Sequence, residues 1–154
     1  MIAAAPDSRL RVVVLVGLPG CGKSTYVEKL GAPALSSDEI RGLLADDPAN
    51  QEIHHQVFRA LRYLLRERLR LRRPVTYIDA TNLTQRERRP YVRMAEPYDC
   101  AVEAVFFDVP LEVCLERNRL RARIVPDEAV RKMAAKLRPP AVAEGFSRVT
   151  VVRE

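Results

Sequence analysis

The segment Gly17-Leu18-Pro19-Gly20-Cys21-Gly22-Lys23-Ser24-Thr25 follows directly on the apolar run Val12 to Val16 and leads into a helix-compatible stretch ending near Leu30. It matches the pattern G-x-x-x-x-G-K-[ST] at every fixed position, in the strand–loop–helix context where such a loop wraps phosphates. The chemistry needs these residue types. Glycines let the backbone curl until its N–H groups face the phosphates, Lys23 places a charge on the β/γ-phosphates, and Ser24 offers a hydroxyl to Mg²⁺ or Mn²⁺. Residues Gly17 to Thr25 are therefore read as the site of ATP or another nucleoside triphosphate.

Beyond the loop, short apolar runs alternate with helix-periodic segments, the signature of a largely parallel sheet covered by helices on both faces. Strands are expected at Arg11 to Val16, Ala34 to Ser36, Val75 to Asp79, Val102 to Phe107 and Val149 to Val152. Ser37 or Asp38 is the expected cap of a helix beginning at Glu39, and Thr84-Gln85-Arg86-Glu87 resembles a capping box. Ile53, Val57, Leu61, Leu64, Leu65 and Leu69 recur at helical spacing, predicting one long amphipathic helix over about 50–72 that Pro74 ends. Its other face carries Arg59, Arg62, Arg66, Arg70 and Arg73, read as a solvated face. Pro126 is placed at the first position of a further helix.

At 154 residues the chain has the length of one domain, expected over 1–154 with 1–9 as a flexible N-terminal extension. Cys21, Cys100 and Cys114 show no paired spacing, which argues for a reducing compartment and against structural zinc. Cys21 fills a variable loop position and is not read as a nucleophile. His54 and His55 are read as surface or half-buried. No apolar run approaches a membrane span, and the default location is cytoplasmic. The formal net charge of +6, carried overwhelmingly by arginine, suits a partner bearing phosphates, and equally reflects an arginine- and alanine-rich genome.

Phosphoryl transfer to an alcohol needs a base as well as a phosphate cradle. In Ser36-Ser37-Asp38-Glu39-Ile40-Arg41, Asp38 stands at the carboxyl end of a strand and Arg41 one helical turn on. Two readings are open: Asp38 meets an acceptor hydroxyl while Arg41 forks onto the acceptor's phosphate, or Asp38 caps the helix and Arg41 is a surface ion-pair partner. Asp79-Ala80-Thr81-Asn82 closes the third strand. Asp79 is placed to act on the metal or its waters, and Asn82 either orients the acceptor or makes an Asx-type turn. Arg117-Asn118-Arg119-Leu120-Arg121-Ala122-Arg123-Ile124-Val125-Pro126 reads as an arginine-rich lid between two helices. Arg117 and Arg121 share a helix face, and Arg123 is open between the donor and solvent.

In this order, GLPGCGKST, SSDEIR, DATN and ERNRLRARIVP resemble the kinase domain of 5′-hydroxyl polynucleotide kinases, which heal RNA and DNA ends. The resemblance spans about Arg11 to Val152 and rests chiefly on Asp-x-x-Arg after the second strand and Arg-Asn-x-x-Arg before Val-Pro. It implies a single-domain P-loop NTPase-type α/β fold of about five strands, order 2-3-1-4-5, with an arginine-rich lid. Asp38 then matches the general base and Arg41 the acceptor-phosphate arginine. Arg117 and Arg121 match lid arginines on the donor phosphates, and Val125 an apolar residue packed on the terminal base. The implied substrate is a 5′-OH RNA or DNA end, with a separately encoded repair ligase or phosphatase as possible partner. Kinases of small metabolites or of aminoacylated tRNA share this pattern, and a nucleotide-gated binding module is the non-enzymatic alternative.

Overall fold

β1 (Leu10–Val16) is apolar at nearly every position because both of its faces are covered. Val12, Val14 and Val16 point to one side, Val13 and Leu15 to the other, and all five are at most 1% exposed. The computed structural model describes residues 9–48, 50 and 52–153, so most of the N-terminal extension read over 1–9 lies outside the described residues. β1 is the centre of a five-stranded, all-parallel sheet with β2 (Ala34–Ser36), β3 (Val75–Asp79), β4 (Cys100–Phe107) and β5 (Arg148–Val152), in the order β2-β3-β1-β4-β5. The expected fold class and strand order are those observed.

On one face lie α2 (Ser37–Ala45), α3 (His54–Arg70) and α4 (Gln85–Ala95). Ile40, Val57, Leu61, Leu65, Leu69 and Tyr91 pack there on the even residues of β1. The opposite face carries α1 (Lys23–Leu30), α5 (Leu111–Arg119) and α6 (Asp127–Lys136), joined through Val27, Cys114, Phe107 and Met133. No helix among the described residues is long and apolar enough to cross a membrane.

Three local expectations change. α2 starts at Ser37, and its cap is Ser36, whose hydroxyl accepts the Glu39 N–H at 3.2 Å. Asp38 therefore stands in the first turn, and the capping role falls to its neighbour. α3 runs 54–70 and not 50–72. Its foot is closed by Arg68, which donates to Thr76 Oγ1 and the Val75 carbonyl at 2.8 and 2.9 Å. Pro126 precedes α6 as its cap with ψ 140, outside the helical range, and so is not its first residue. The Thr84 cap forms as the sequence suggests, accepting the Glu87 N–H at 3.2 Å.

Two charge clusters tie the layers together. Arg88 is fully buried and forks onto Glu144 with both bonds at 2.9 Å, while its remaining nitrogen donates to the Asn82 carbonyl at 2.9 Å. At the far end of the sheet Glu103 of β4 accepts from Arg11 of β1 and Arg148 of β5. Burial alone raises the Glu103 carboxyl, but these hydrogen bonds and charges outweigh it and hold the group below the usual carboxylate range.

Candidate active site

All the sequence-marked segments meet at the carboxyl edge of the parallel sheet, where β1, β2 and β3 end and the helices begin. The phosphate loop is held by the Gly17 N–H donating to Thr81 at 3.0 Å. Gly20 and Gly22 take φ of 84° and 105°, a region that favours glycine. Gly20 also has no room for a side chain, since a Cβ there would lie 2.5 Å from the Cys114 carbonyl oxygen and 3.0 Å from the Asn118 nitrogen. The loop is thus seated on the backbone of α5. Gly22 caps α1 with no side chain bonded to the first turn, leaving that turn's N–H groups directed at the cleft.

Lys23 is buried, and its ammonium folds back to donate to the Gly17 and Leu18 carbonyls, each at 3.0 Å. Ser24 Oγ donates to Asp79 Oδ2 at 2.9 Å. A hydroxyl and a carboxylate so placed beside a phosphate cradle are hard oxygen donors, the ligand type Mg²⁺ takes together with waters and phosphate oxygens. The cleft has a volume of about 690 Å³, and its lining includes the loop from Pro19 to Thr25, Asp38, Asp79, Arg117, Arg121 and Arg123. Tyr26, Phe107 and Val152 add an apolar wall, with Tyr26 packed edge-on to Phe107 at 5.4 Å between ring centroids. No sequence motif marks that wall, because these residues come from three elements far apart in sequence.

Opposite the loop, Asp38 is the hub of three arginines. Its Oδ1 accepts from Arg123 at 2.9 Å and from Arg41 at 3.3 Å, and its Oδ2 accepts from Arg121 at 3.3 Å. Arg41 is 3% exposed, so it is no surface ion-pair partner. Burial, and then the neighbouring Arg123 charge, lower its pKa from the ordinary arginine value, with Asp38 acting the other way. The Nε atoms of Arg41 and Arg123 are buried with no hydrogen-bond partner among the described residues. Unpaired buried donors beside a carboxylate are costly, and water or a bound ligand can satisfy them. Arg117 lies over the loop, its Nη1 4.0 Å from where a Gly22 Cβ would be.

Of the expected site residues, Gly17, Leu18, Arg41, Asn82 and Val125 do not line the cleft; Arg41 reaches it through Asp38, whereas Asn82 and Val125 turn away from it. Asn82 is 2% exposed with φ 48, and its amide donates to the Leu15 and Ala80 carbonyls at 2.7 and 3.3 Å. That is the turn-forming alternative: it joins the ends of β1 and β3 and has no face left for an acceptor. Val125 is 7% exposed and packs with Leu115 and Val130 beneath the lid. Asn118 stands in the Arg-Asn-x-x-Arg pattern, which by itself gives it no role. Fully buried, it receives the Val125 N–H at 3.2 Å and donates its amide to the Val125 carbonyl, pinning the lid's end to α5.

Residues 12–140 match the model of the AAA domain family. The chain belongs to that family. Among curated proteins it is 26% identical over 136 residues to the L-seryl-tRNA(Sec) kinase of Methanococcus maripaludis, covering 84% of this chain and 53% of that protein. The chain thus spans about half the length of that relative. Among solved structures it superposes on a chain of the Pnkp1/Rnl/Hen1 RNA repair complex with a TM-score of 0.71 and 22% identity, covering 87% of this chain and 47% of that one. A kinase-like protein of Chloroflexus aurantiacus j-10-fl gives a TM-score of 0.72 at 11% identity, with 95% and 89% covered. At these identities the structures establish the fold alone.

Proposed function

We propose that this chain is an ATP-dependent kinase that transfers the γ-phosphoryl group to the 5′-hydroxyl of an RNA or DNA end. The observation that carries this reading is the Asp38 carboxylate, ringed by Arg41, Arg121 and Arg123 and facing Lys23, Ser24 and Asp79 across one cleft. A base surrounded by cations suits a hydroxyl whose neighbour is a phosphate. A phosphate brings charge as well as acceptor oxygens to the unpaired Nε donors of Arg41 and Arg123, where a neutral sugar brings hydroxyl acceptors alone. The name of the RNA repair complex points the same way, while that of the tRNA kinase gives an acceptor carried on RNA and not a 5′ end.

On this reading the loop N–H groups and the first turn of α1 hold the donor phosphates. Lys23 exchanges its loop carbonyls for the β/γ-phosphates, a better partner for an ammonium. Ser24 and Asp79 would hold Mg²⁺, which when bound neutralises charge on the donor. Arg41 takes the acceptor's first phosphate and thereby fixes the hydroxyl against Asp38. As the acceptor oxygen bonds to the γ-phosphorus and the bond to ADP's β-phosphate oxygen breaks, the hydroxyl proton passes to Asp38 and thence to solvent. Arg121 and Arg123, released from Asp38 by the incoming phosphates, join Arg117 over the transferring group.

The chain covers 47% of the compared repair-complex chain. A separately encoded repair ligase or phosphatase is the proposed partner, and the cytoplasm is the proposed location. The test is Mg²⁺-dependent transfer of label from γ-labelled ATP to a 5′-OH oligonucleotide. Wild type should label it, while Lys23→Ala and wild type in excess chelator should not. Turnover by Lys23→Ala at the wild-type rate would overturn the donor assignment.

A further inference from the structure

The arginines left out of the cleft are not spread evenly over the surface. Five of them, Arg62 and Arg66 of α3 and Arg86, Arg89 and Arg93 of α4, line one groove of about 420 Å³ whose floor includes Pro90 and Met94. Among the described residues no carboxylate lies within ion-pair distance of any of the five. The acids nearest in sequence are engaged elsewhere. Glu67 pairs with Arg70 at 2.8 Å, and Glu87 accepts the Thr84 hydroxyl at 3.0 Å in the α4 cap. A merely solvated helix face interleaves both signs, because like charges at neighbouring positions repel.

The groove also has a direction. α3 precedes β3 and α4 follows it, so both helices start at the carboxyl edge of the sheet and run side by side away from it. α2, which carries Arg41, packs against α3 with Ile40, Val57 and Leu61 in one apolar cluster, so the α3 wall of the groove belongs to the helix that lies against the acceptor arginine's own helix. From the carboxyl edge Arg86, Arg89 and Arg93 step down α4 at about one turn, roughly 5 Å, each time, with Arg62 and Arg66 across from them. Spacing of this kind follows a sugar–phosphate backbone, and positive charge with no internal partner is its complement.

We infer that the α3/α4 groove is a track for the internal phosphates of a polynucleotide, continuing from the acceptor site down the outer face of the sheet. The inference rests on the polynucleotide reading of the acceptor and adds a second contact region to it. The track reads no bases: it lengthens the footprint beyond the terminal nucleotide and favours long acceptors over short ones.

The experiment uses the full chain with Arg66→Ser, Arg89→Ser and Arg93→Ser combined, all solvent-facing positions, and Lys132→Ser on α6 as a control on the opposite face. Probes are fluorescent single strands of about 20 nucleotides, as RNA and as DNA, each with a 5′-OH or a blocking 5′-phosphate. A nucleoside 3′-monophosphate serves as short acceptor. Anisotropy should show affinity for both blocked and unblocked strands falling on the order of tenfold in the triple variant. The slope of log affinity against log salt should become shallower by about 2, from three contacts of roughly 0.7 each. Transfer to the short acceptor should stay at the wild-type level, as should strand binding by Lys132→Ser. A larger effect on RNA than on DNA, or the reverse, would identify which backbone the track fits. Unchanged strand affinity and salt slope in the triple variant overturn the track while leaving the kinase reading intact. Strand binding that depends on the groove, in a protein that phosphorylates no 5′-OH acceptor, keeps the track and removes the kinase reading. Equal loss on long and short acceptors means damage to the cleft and overturns the track.

Discussion

Replacing Asp38 by Asn removes one charge and one proton acceptor while keeping shape and an oxygen that can accept hydrogen bonds. Two effects follow, and their sizes separate them. The side chain is 36% exposed, so its ion pairs with Arg121 and Arg123 are screened and contribute at most about 1 kcal/mol each. Arg41 is 4% exposed at its side chain and keeps a neutral partner in the amide oxygen. The stability loss should therefore be about 1 to 2 kcal/mol, or roughly 3 to 6 °C in Tm for a domain of this size. Loss of a general base, by contrast, lowers kcat by about a hundredfold to ten-thousandfold, equivalent to roughly 2.7 to 5.5 kcal/mol of barrier. Turnover of a 5′-OH oligonucleotide at saturating ATP, measured well below the variant's Tm, should show that drop while the affinity for ATP changes little. Transfer within threefold of wild type would refute the assignment of Asp38 as base and leave it as a counter-ion for the lid.

The buried Arg88–Glu144 fork predicts that Arg88→Met costs about 3 to 5 kcal/mol in denaturant unfolding, because it strands the Glu144 carboxylate and the Asn82 carbonyl; adding Glu144→Gln should recover part of it, and two neutral single variants would contradict the geometry. Glu103 has a folded-state pKa below its unfolded one, so it contributes stability above about pH 4.5 that is lost as the pH falls through the folded value. Glu103→Gln should accordingly be less stable at neutral pH and show a flatter acid limb in thermal melts, and an unchanged limb would count against it. Val125→Asp puts a charge against Leu115 and Val130 and should weaken ATP and acceptor kinetics together through the lid, whereas an isolated rise in acceptor KM would return Val125 to the substrate. Burial pushes the Cys114 thiol up to about 11, leaving roughly one thiolate in a thousand at pH 8, so native-state alkylation there should be far slower than in denaturant.

The sheet was legible because its strands are short β-branched runs bounded by recognisable loop and cap signals, from Val12 to Val16 onwards. The phosphate loop was legible because its chemistry is local, nine consecutive residues whose fixed positions each have a backbone or charge reason to be there. Other features depend on pairing across long sequence distances. Nothing near Arg88 signals that it is buried, since its partner Glu144 lies 56 residues away. Asp38 was visible as a candidate base, but its contacts with Arg121 and Arg123 cross more than 80 positions. Asn82 and Val125 mark a different limit. Both stand beside the cleft in sequence, and their side chains turn inward because a β-strand end and a lid hinge each need an anchor. The arginines of α3 looked like an ordinary polar face until α4 brought a second set alongside them.

One competition assay identifies the acceptor directly. Wild-type protein, γ-labelled ATP and Mg²⁺ are incubated with equal concentrations of a 5′-OH oligonucleotide, its 5′-phosphorylated twin and a sugar acid, and the label is traced to its position. The account predicts label on the 5′-terminal oxygen of the unphosphorylated strand alone, removable by a phosphatase. Label on the sugar acid, or on neither strand while ATP is still consumed, would contradict it.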